Sequence, residues 1–171
     1  MAAPEFKDRL IFDTAAGEIL DATRRYLLVR PDSFMGIFAR LPEPARTQAL
    51  GALEAAVFEH GSDSARAYLA SGGGDARTLI DTIARTAPQL GWGRWTFDIA
   101  GDKIALTVDN SPFAQGYGPS DTPVCHAVAG MLRAVATLLF DAAAAARECT
   151  CTACGSAACR FEARSLESAP R

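Results

Sequence analysis

Strict alternation of apolar and polar residues marks one region of this chain as a β-hairpin. Trp95, Phe97 and Ile99 alternate with polar residues, and the pattern repeats over 104–108. The Gly-Asp pair at 101–102 between the two runs is a turn signal. We therefore predict two antiparallel strands, with the three large apolar side chains of the first strand on one face.

Helical spacing dominates the region before this hairpin. Apolar residues three or four positions apart predict a helix over 45–59, which Gly61 would end, and a short helix over 64–69. The Ser-Gly-Gly-Gly run at 71–74 predicts a loop. Asp75 is then a suitable N-cap for the next helix.

The first forty residues predict a mixture of strand and helix. Segment 10–13 favours a short strand, and a helix over 13–25 is the alternative. The β-prone run 25–30 predicts a strand that the following proline ends. Asp32 or Ser33 would cap a short helix after it.

The longest apolar stretch, 124–139, predicts a central helix. Apolar residues occupy two of its faces, which is typical of a helix buried between layers. A loop over 110–121 precedes it, and Asp121 or Thr122 would cap it. The alanines after Asp141 either extend this helix or begin a strand.

A second hairpin is predicted near the C-terminal end of the sequence. It comprises a strand ending near 149–151, a turn at Gly155 and a strand over 159–163. The order of strands and helices predicts an α+β fold with an antiparallel sheet. We expect one domain over 1–164 and a disordered tail over 165–171.

Composition narrows the classes of function. The 171 residues are 49% apolar and 22% charged, the mixture of one globular domain. A formal charge of −3 provides no basic surface for nucleic acid. No apolar run approaches the roughly 20 residues of a transmembrane helix. The first residues include no apolar signal segment, so we expect a cytoplasmic location.

The cysteines predict a metal site. They are Cys125, Cys149, Cys151, Cys154 and Cys159. Thiols clustered in this way serve a metal ion or a disulfide. A cytoplasmic protein keeps its thiols reduced, and a chain of this length does not need disulfides. Zinc is therefore the expected cofactor, with free structural cysteines or redox chemistry as the alternatives.

Spacing alone leaves the ligand set open. Glu148, Cys149 or Cys154 could complete a site with the other cysteines. Glu148 and Cys151 would lie on opposite faces of a regular strand, so both reach one metal only if the strand bulges near Thr150. Four protein ligands leave no open position, which favours a structural metal.

Signals for catalysis are weak, and the sequence favours a binding protein over an enzyme. His60 and His126 are the only histidines, too few and too scattered to indicate a nucleophile–base triad. The glycines at 72–74 lack the lysine and hydroxyl residue of a phosphate-binding loop.

Aromatic residues concentrate in one quarter of the chain. They are Trp92, Trp95, Phe97, Phe113 and Tyr117. Such a group forms either ordinary core or the wall of an apolar small-molecule pocket. We expect a pocket between the 95–108 hairpin, the 110–121 loop and the central helix, with His126 as a further candidate.

Several of these motifs together resemble the 4-vinyl-reductase-like, hydrocarbon-binding domain family. The matching pieces include Pro-Val-Cys-His at 123–126, Glu148-x-x-Cys151, Cys154-Gly155 and Cys159-Arg-Phe161, and the resemblance covers about 15 to 164. Known members include the sensor domains of phenol- and xylene-responsive transcription activators. Free-standing members exist, one of them in bacteriochlorophyll synthesis.

The resemblance implies a fold similar to vesicle-tethering-complex subunits and nitric-oxide-sensor-like domains. It implies zinc held by Cys125, Glu148, Cys151 and Cys159. We also expect a homodimer that pairs through its N-terminal strands and helices, because two apolar faces on the central helix are more than one small domain normally needs and the family is similar in this. The implied function is a sensor or carrier of a small hydrophobic or aromatic molecule. Tetrapyrrole vinyl-group reduction and a dimeric scaffold are the alternatives. Strand 104–108 lacks the tryptophan of the phenol-sensing relatives, and their phenol-binding histidine has no matching position here, so we do not expect phenol itself and leave a more apolar or larger ligand open.

Overall fold

Short groups of strands and helices follow one another over residues 5–70 and 75–167, the ranges that the computed structural model of this protein describes. The helices are α1 Phe6–Arg9, α2 Pro31–Ala39, α3 Ala45–Ala70, α4 Ala76–Gln89, α5 Pro112–Tyr117 and α6 His126–Phe140. The strands are β1 Ile11–Asp13, β2 Glu18–Asp21, β3 Arg24–Tyr26, β4 Arg94–Ala100, β5 Lys103–Asp109, β6 Ala144–Thr150 and β7 Cys159–Ser165. None of the helices in these ranges is long and apolar enough to cross a bilayer.

The larger sheet has four antiparallel strands in the order β4-β5-β7-β6. The predicted β4–β5 hairpin is confirmed, and Gly101 turns it with a φ of 59°. The second hairpin is confirmed too. Asp141 takes a left-handed conformation after α6, and the alanines that follow begin β6 rather than extend the helix. The expected α+β class with an antiparallel sheet is therefore correct.

Helix α6 lies between this sheet and α3, as its two apolar faces predicted. Helices α3 and α6 approach each other closely at Gly130. A Cβ atom at this position would overlap the Glu54 carbonyl oxygen of α3, so the contact depends on a residue without a side chain. The helix begins at His126 with Cys125 as its N-cap, so the predicted caps Asp121 and Thr122 are wrong. Helix α6 starts later than predicted because the Glu148 carboxylate of β6 accepts a hydrogen bond from the Cys125 N–H.

Helix α3 runs unbroken from 45 to 70, so the predicted break at Gly61 and the separate helix over 64–69 are wrong. A Cβ atom on Gly61 would lie 3.0 Å from Met131 Cε on α6. Because Gly61 has no side chain, Met131 of α6 can pack against α3 at this point. This packing offsets the roughly 1 kcal/mol that glycine costs a helix. Asp75 caps α4 as predicted, accepting a hydrogen bond from the Thr78 N–H at 2.9 Å. The predicted loop at 71–74 lies outside the described residues.

The N-terminal residues form a small antiparallel sheet, β1-β2-β3, so the alternative helix over 13–25 is wrong. The strand predicted over 25–30 ends at Tyr26, and Leu27 and Leu28 beyond it are exposed. Helix α2 has Arg30 as its N-cap, without a capping side chain, which corrects the prediction of Asp32 or Ser33.

Two further boundaries differ from the prediction. The 110–121 loop contains α5, which packs tightly on α2, because a Cβ atom on Gly116 would overlap the Pro31 carbonyl group. Strand β7 includes Ser165, and the Leu166 N–H binds the Ala143 carbonyl oxygen at 2.8 Å. The ordered chain thus continues past 164 by at least two residues, while 168–171 lie outside the described residues.

Candidate metal centre and ligand pocket

A β-bulge in β6 brings Glu148 and Cys151 to the same side of the strand. Glu148 pairs with Phe161, but Thr150 pairs with Arg160, so the register shifts by one residue at Cys149. A regular strand would place the side chains of residues 148 and 151 on opposite faces. The extra residue of the bulge turns them to the same face. The bulge that the sequence required near Thr150 is therefore present, and it leaves Cys149 exposed.

Four potential ligand side chains converge at this bulge. Their Sγ and carboxylate oxygen atoms all lie within 4.8 Å of one another, and they belong to Cys125, Glu148, Cys151 and Cys159. Cys125 comes from the N-cap of α6, and Cys159 begins β7. The remaining cysteines, Cys149 and Cys154, are exposed and lie outside this group. A site of four cysteines is therefore not assembled in the described structure.

The three sulfur atoms have the spacing of a tetrahedral metal site. The Sγ–Sγ distance from Cys125 is 3.8 Å to Cys151 and 3.7 Å to Cys159, and the third edge is 3.9 Å. Metal–thiolate bonds of about 2.3 Å in a tetrahedron separate their sulfur atoms by about 3.8 Å. All three thiols are buried and free. The donor set therefore fits a thiolate-bound metal ion.

The Glu148 carboxylate is positioned to supply a fourth ligand. Its Oε2 atom accepts a hydrogen bond from the Cys125 N–H at 2.8 Å. Its Oε1 atom is buried and has no hydrogen-bond partner among the described residues. Burial without a partner is costly for a carboxylate oxygen, and it raises the pKa of Glu148 to about 7. A bound cation at this point would provide the missing partner.

Two hydroxyl residues surround the thiols, and sequence reasoning assigned neither of them to the site. Ser111 Oγ lies 3.2 Å from Cys125 Sγ, and the Thr152 N–H donates to Cys159 Sγ at 3.3 Å. Hydrogen-bonding contacts with Cys125, Cys151 and Thr152 lower the pKa of the Cys159 thiol, which favours its thiolate form. The only sequence signal that could have placed Thr152 at the site is that it directly follows Cys151.

A pocket of about 660 Å³ is bounded by α3, α4 and the N-terminal segment. Large apolar side chains form most of its wall, from α1, α3, α4, the α4–β4 connection, β4 and α6: Phe6, Val57, Leu79, Ile83, Trp92, Trp95 and Met131. Its polar side chains come from the N-terminal segment, α3 and α4: Arg9, Asp21, Arg24, Tyr26, His60, Ser64, Thr82 and Thr86. Its size falls within the range of small-molecule sites.

The pocket differs from the one expected from the sequence. Trp92 and Trp95 line it, whereas Phe113 and Phe97 pack behind them at ring-centroid distances of 5.0 and 6.0 Å. Tyr117 and the 110–121 segment do not contribute, because α5 packs on α2 instead.

His126 also lies outside the described pocket lining. Its Nδ1 atom is 2.9 Å from a carboxylate oxygen of Glu54 on α3. Of the two histidines, His60 of α3 is the one that lines the pocket. The sequence contains no signal for that placement beyond the helical spacing of α3.

One row of the sheet connects the pocket to the metal-ligand cluster. Trp95 pairs with Val108 on β5, and Val108 pairs with Cys159 on β7. Directly paired residues in an antiparallel sheet present their side chains on the same face. The pocket wall and one of the clustered thiols therefore belong to a single buried row.

Comparisons with known proteins agree with this architecture. Residues 104–165 match the family model of the 4-vinyl-reductase domain. The phenol-responsive sensory domain of the transcription activator PoxR, solved with phenol, has a TM-score of 0.78 at 20% identity, covering 95% of this chain and 87% of that domain. No curated protein matches the sequence.

Two more distant solved structures share the fold. Trafficking protein particle complex subunit 3 from Naegleria fowleri, covalently bound to palmitic acid, has a TM-score of 0.56 at 10% identity, covering 78% of this chain and 93% of that one. A vinyl-4-reductase family protein from Methanocaldococcus jannaschii has a TM-score of 0.52 at 15% identity, covering 80% and 90%. At these identities the likeness concerns the fold alone. The resemblance found in the sequence is thereby confirmed: residues 104–165 of this chain match the 4-vinyl-reductase domain, set in the fold of the PoxR sensory domain.

Proposed function

We propose that this protein is a binding domain for a small, largely apolar molecule, acting as a sensor or a carrier. The observation that carries the proposal is the 660 Å³ pocket, whose apolar side chains come from separate segments of the chain and include the buried Trp95. A cavity with an apolar wall and a few polar groups is the usual form of a small-molecule site. The likeness to a sensory domain solved with phenol supports this proposal.

Native mass spectrometry of protein purified from its own host tests the proposal. We expect a copurified aromatic or lipid-like mass, which should be lost from an Ala65→Leu variant. Ala65 is buried in the pocket wall, and Ala56 on the same helix is exposed and outside the wall, so Ala56→Leu is the matched control. A copurified nicotinamide or flavin would instead favour the vinyl-group reductase. A parent protein with no bound mass and no affinity for apolar probes would contradict the binding function.

We propose that the clustered ligands hold zinc. The donor set, three thiols and one carboxylate whose ligand atoms lie within 4.8 Å of one another, supports this proposal. Zinc accepts sulfur and carboxylate ligands in tetrahedral sites. When bound, zinc would replace the hydrogen bonds among the thiols and provide Glu148 Oε1 with a partner. Four protein ligands leave no position for substrate, so its role is structural. Metal analysis of the purified protein, one zinc per chain or none, tests this assignment.

We also propose that the protein is a homodimer. Five of the nine exposed large apolar residues found in the described ranges lie close together in sequence: Ile11, Phe12, Leu27, Leu28 and Val29. Leu27 and Leu28 are 80% and 75% exposed, and both follow the edge strand β3. An apolar surface of this kind marks an interface, and a second copy can cover it with the same residues.

Sedimentation at micromolar concentration tests the dimer. We expect the parent protein to sediment as a dimer and a Leu28→Glu variant as a monomer. Leu166→Glu is the control, because Leu166 is also exposed but lies beyond β7. A monomeric parent protein would rule the dimer out.

A further inference from the structure

The Arg and Asp side chains of the pocket wall all lie on one side, which we call its polar edge. The polar edge belongs mainly to the N-terminal segment, which contributes Arg9, Asp21, Arg24 and Tyr26. The opposite wall, from α3 and α4, combines apolar side chains such as Val57 and Ile83 with a few polar ones and contains no Arg, Lys, Asp or Glu; the polar ones are His60, Ser64, Thr82 and Thr86. An occupant that fits both sides has an apolar body and one polar end.

The charges along this edge do not balance. Arg9 donates two hydrogen bonds to Asp21, through Nε at 3.1 Å and Nη2 at 2.9 Å, and that pair is neutral. No carboxylate of the described residues lies within ion-pair distance of Arg24, which lines the same edge. The edge therefore carries one uncompensated positive charge. An anionic group placed there would be paired, whereas a cationic group would be repelled.

A neutral hydrogen-bond donor stands beside this charge. Burial and the nearby Asp21 carboxylate raise the pKa of Tyr26, so its hydroxyl group stays protonated at neutral pH. The Tyr26 ring packs against Phe6 with a centroid distance of 5.3 Å, which holds it at the junction of the polar edge and the apolar wall. Arg24 and Tyr26 alternate along β3 and both line the pocket.

Size separates this pocket from a site for a single ring. An apolar cavity of about 150 Å³ is sufficient to bind benzene. The pocket here has a volume of about 660 Å³, more than four times as large, and it is partly open to solvent. All cysteines of the sequence lie over 125–159, outside the lining, so the wall offers no thiol for a covalent bond to the occupant.

We infer that the occupant is an amphipathic monoanion, a carboxylate on an apolar body larger than one aromatic ring, with its head group at Arg24. This inference rests on the proposed binding function and specifies the ligand class of that same pocket. The apolar body contacts α3, α4 and the two tryptophans, and the carboxylate receives hydrogen bonds from the β3 edge. Binding is noncovalent and reversible.

Three probes that share one apolar chain and differ in the head group test the inference. Decanoate, decan-1-ol and decylamine are titrated into the full-length protein, and the fluorescence of Trp92 and Trp95 reports binding. We expect decanoate to bind about fivefold more tightly than decan-1-ol, the upper range for an exposed ion pair. Decylamine should bind more weakly than both.

The strand provides a matched pair of arginine variants. Arg24 lines the pocket, whereas the adjacent Arg25 lies outside its lining and pairs with Glu18 at 3.2 Å. Arg24→Gln should bring decanoate affinity down to that of decan-1-ol and leave the alcohol unchanged. Arg25→Gln should change neither affinity, and Arg24→Lys should retain most of the preference for the anion.

Each other outcome overturns the inference in a distinguishable way. Equal affinity for decanoate and decan-1-ol in the parent protein would refute the anionic ligand while leaving the binding function intact. Equal loss in the Arg24→Gln and Arg25→Gln variants would show general surface attraction and refute the head-group position. A parent protein that binds none of the three probes would refute both the inference and the proposed binding function.

Discussion

The clustered thiols connect segments that are distant in the sequence, so metal loss should lower the stability of the whole protein. Cys125 and Cys151 are 26 positions apart, and their sulfur atoms lie within 3.8 Å. A metal that bridges them constrains the unfolded chain much as a disulfide does, and closing a loop of this length contributes about 3.5 kcal/mol. For a chain of this size, that energy corresponds to about 10 °C in melting temperature.

The perturbation that isolates this effect is Cys159→Ser. Serine is nearly isosteric and can still accept the hydrogen bond from the Thr152 N–H, so the expected change comes from the metal rather than from packing. We expect the variant to lose zinc and to melt about 10 °C lower, and a strong chelator should shift the parent protein by a similar amount. Zinc content per chain and circular dichroism melting curves measure the two quantities.

Two further variants make the test specific to the ligand assignment. Cys154 is exposed and outside the cluster, so Cys154→Ser should keep zinc and the parent melting temperature. Glu148→Gln should weaken zinc binding without abolishing folding, because the three thiols remain. If Cys154→Ser loses zinc while Glu148→Gln retains it, the ligand assignment is wrong and the site consists of cysteines alone.

Three other predictions concern packing, pH and the pocket. Gly130→Ala should lower the free energy of unfolding by about 1–3 kcal/mol, because its Cβ would overlap α3. Gly51→Ala, with open space around its Cβ, should be neutral or stabilising in the same denaturant titration. In the metal-free protein, the pKa of Glu148 is raised from 4.5 to about 7. The native state then binds more protons than the unfolded state between these values, so stability should fall as pH rises through that window, and Glu148→Gln should flatten the dependence. Trp95→Ala should cost about 3–5 kcal/mol in stability. Trp95→Phe should fold but bind decanoate more weakly, and an unchanged affinity would contradict the placement of the pocket.

Local patterns were sufficient to predict most of the elements. The β4–β5 hairpin follows from alternation and a Gly-Asp turn, and the α4 cap follows from Asp75, because each depends on neighbouring residues only. The buried position of α6 also follows from its sequence, since a helix that is apolar on two faces must be covered on both.

Boundaries failed where a distant segment changes the local balance. Gly61 is an ordinary helix-ending signal, yet α3 continues through it because Met131 of α6 fills the space beside it. The start of α6 moves to His126 because Glu148, more than twenty positions away, takes the Cys125 N–H. Neither contact has a signal within the segment whose boundary it determines.

The two candidate sites show the same division. The sequence by itself indicated a metal-binding cluster, because thiols grouped in this way usually serve a metal, but its spacing left the fourth ligand open. It also required a bulge if Glu148 was to join Cys151. Only the pairing of β6 with β7 decided where the extra residue lies, and with it which cysteine faces solvent. The pocket depends still more on tertiary structure. The N-terminal segment, α3, α4 and β4 meet around one cavity, and this long-range arrangement, which no local pattern encodes, brings Arg24 and His60 to the same pocket as Trp92 and Trp95.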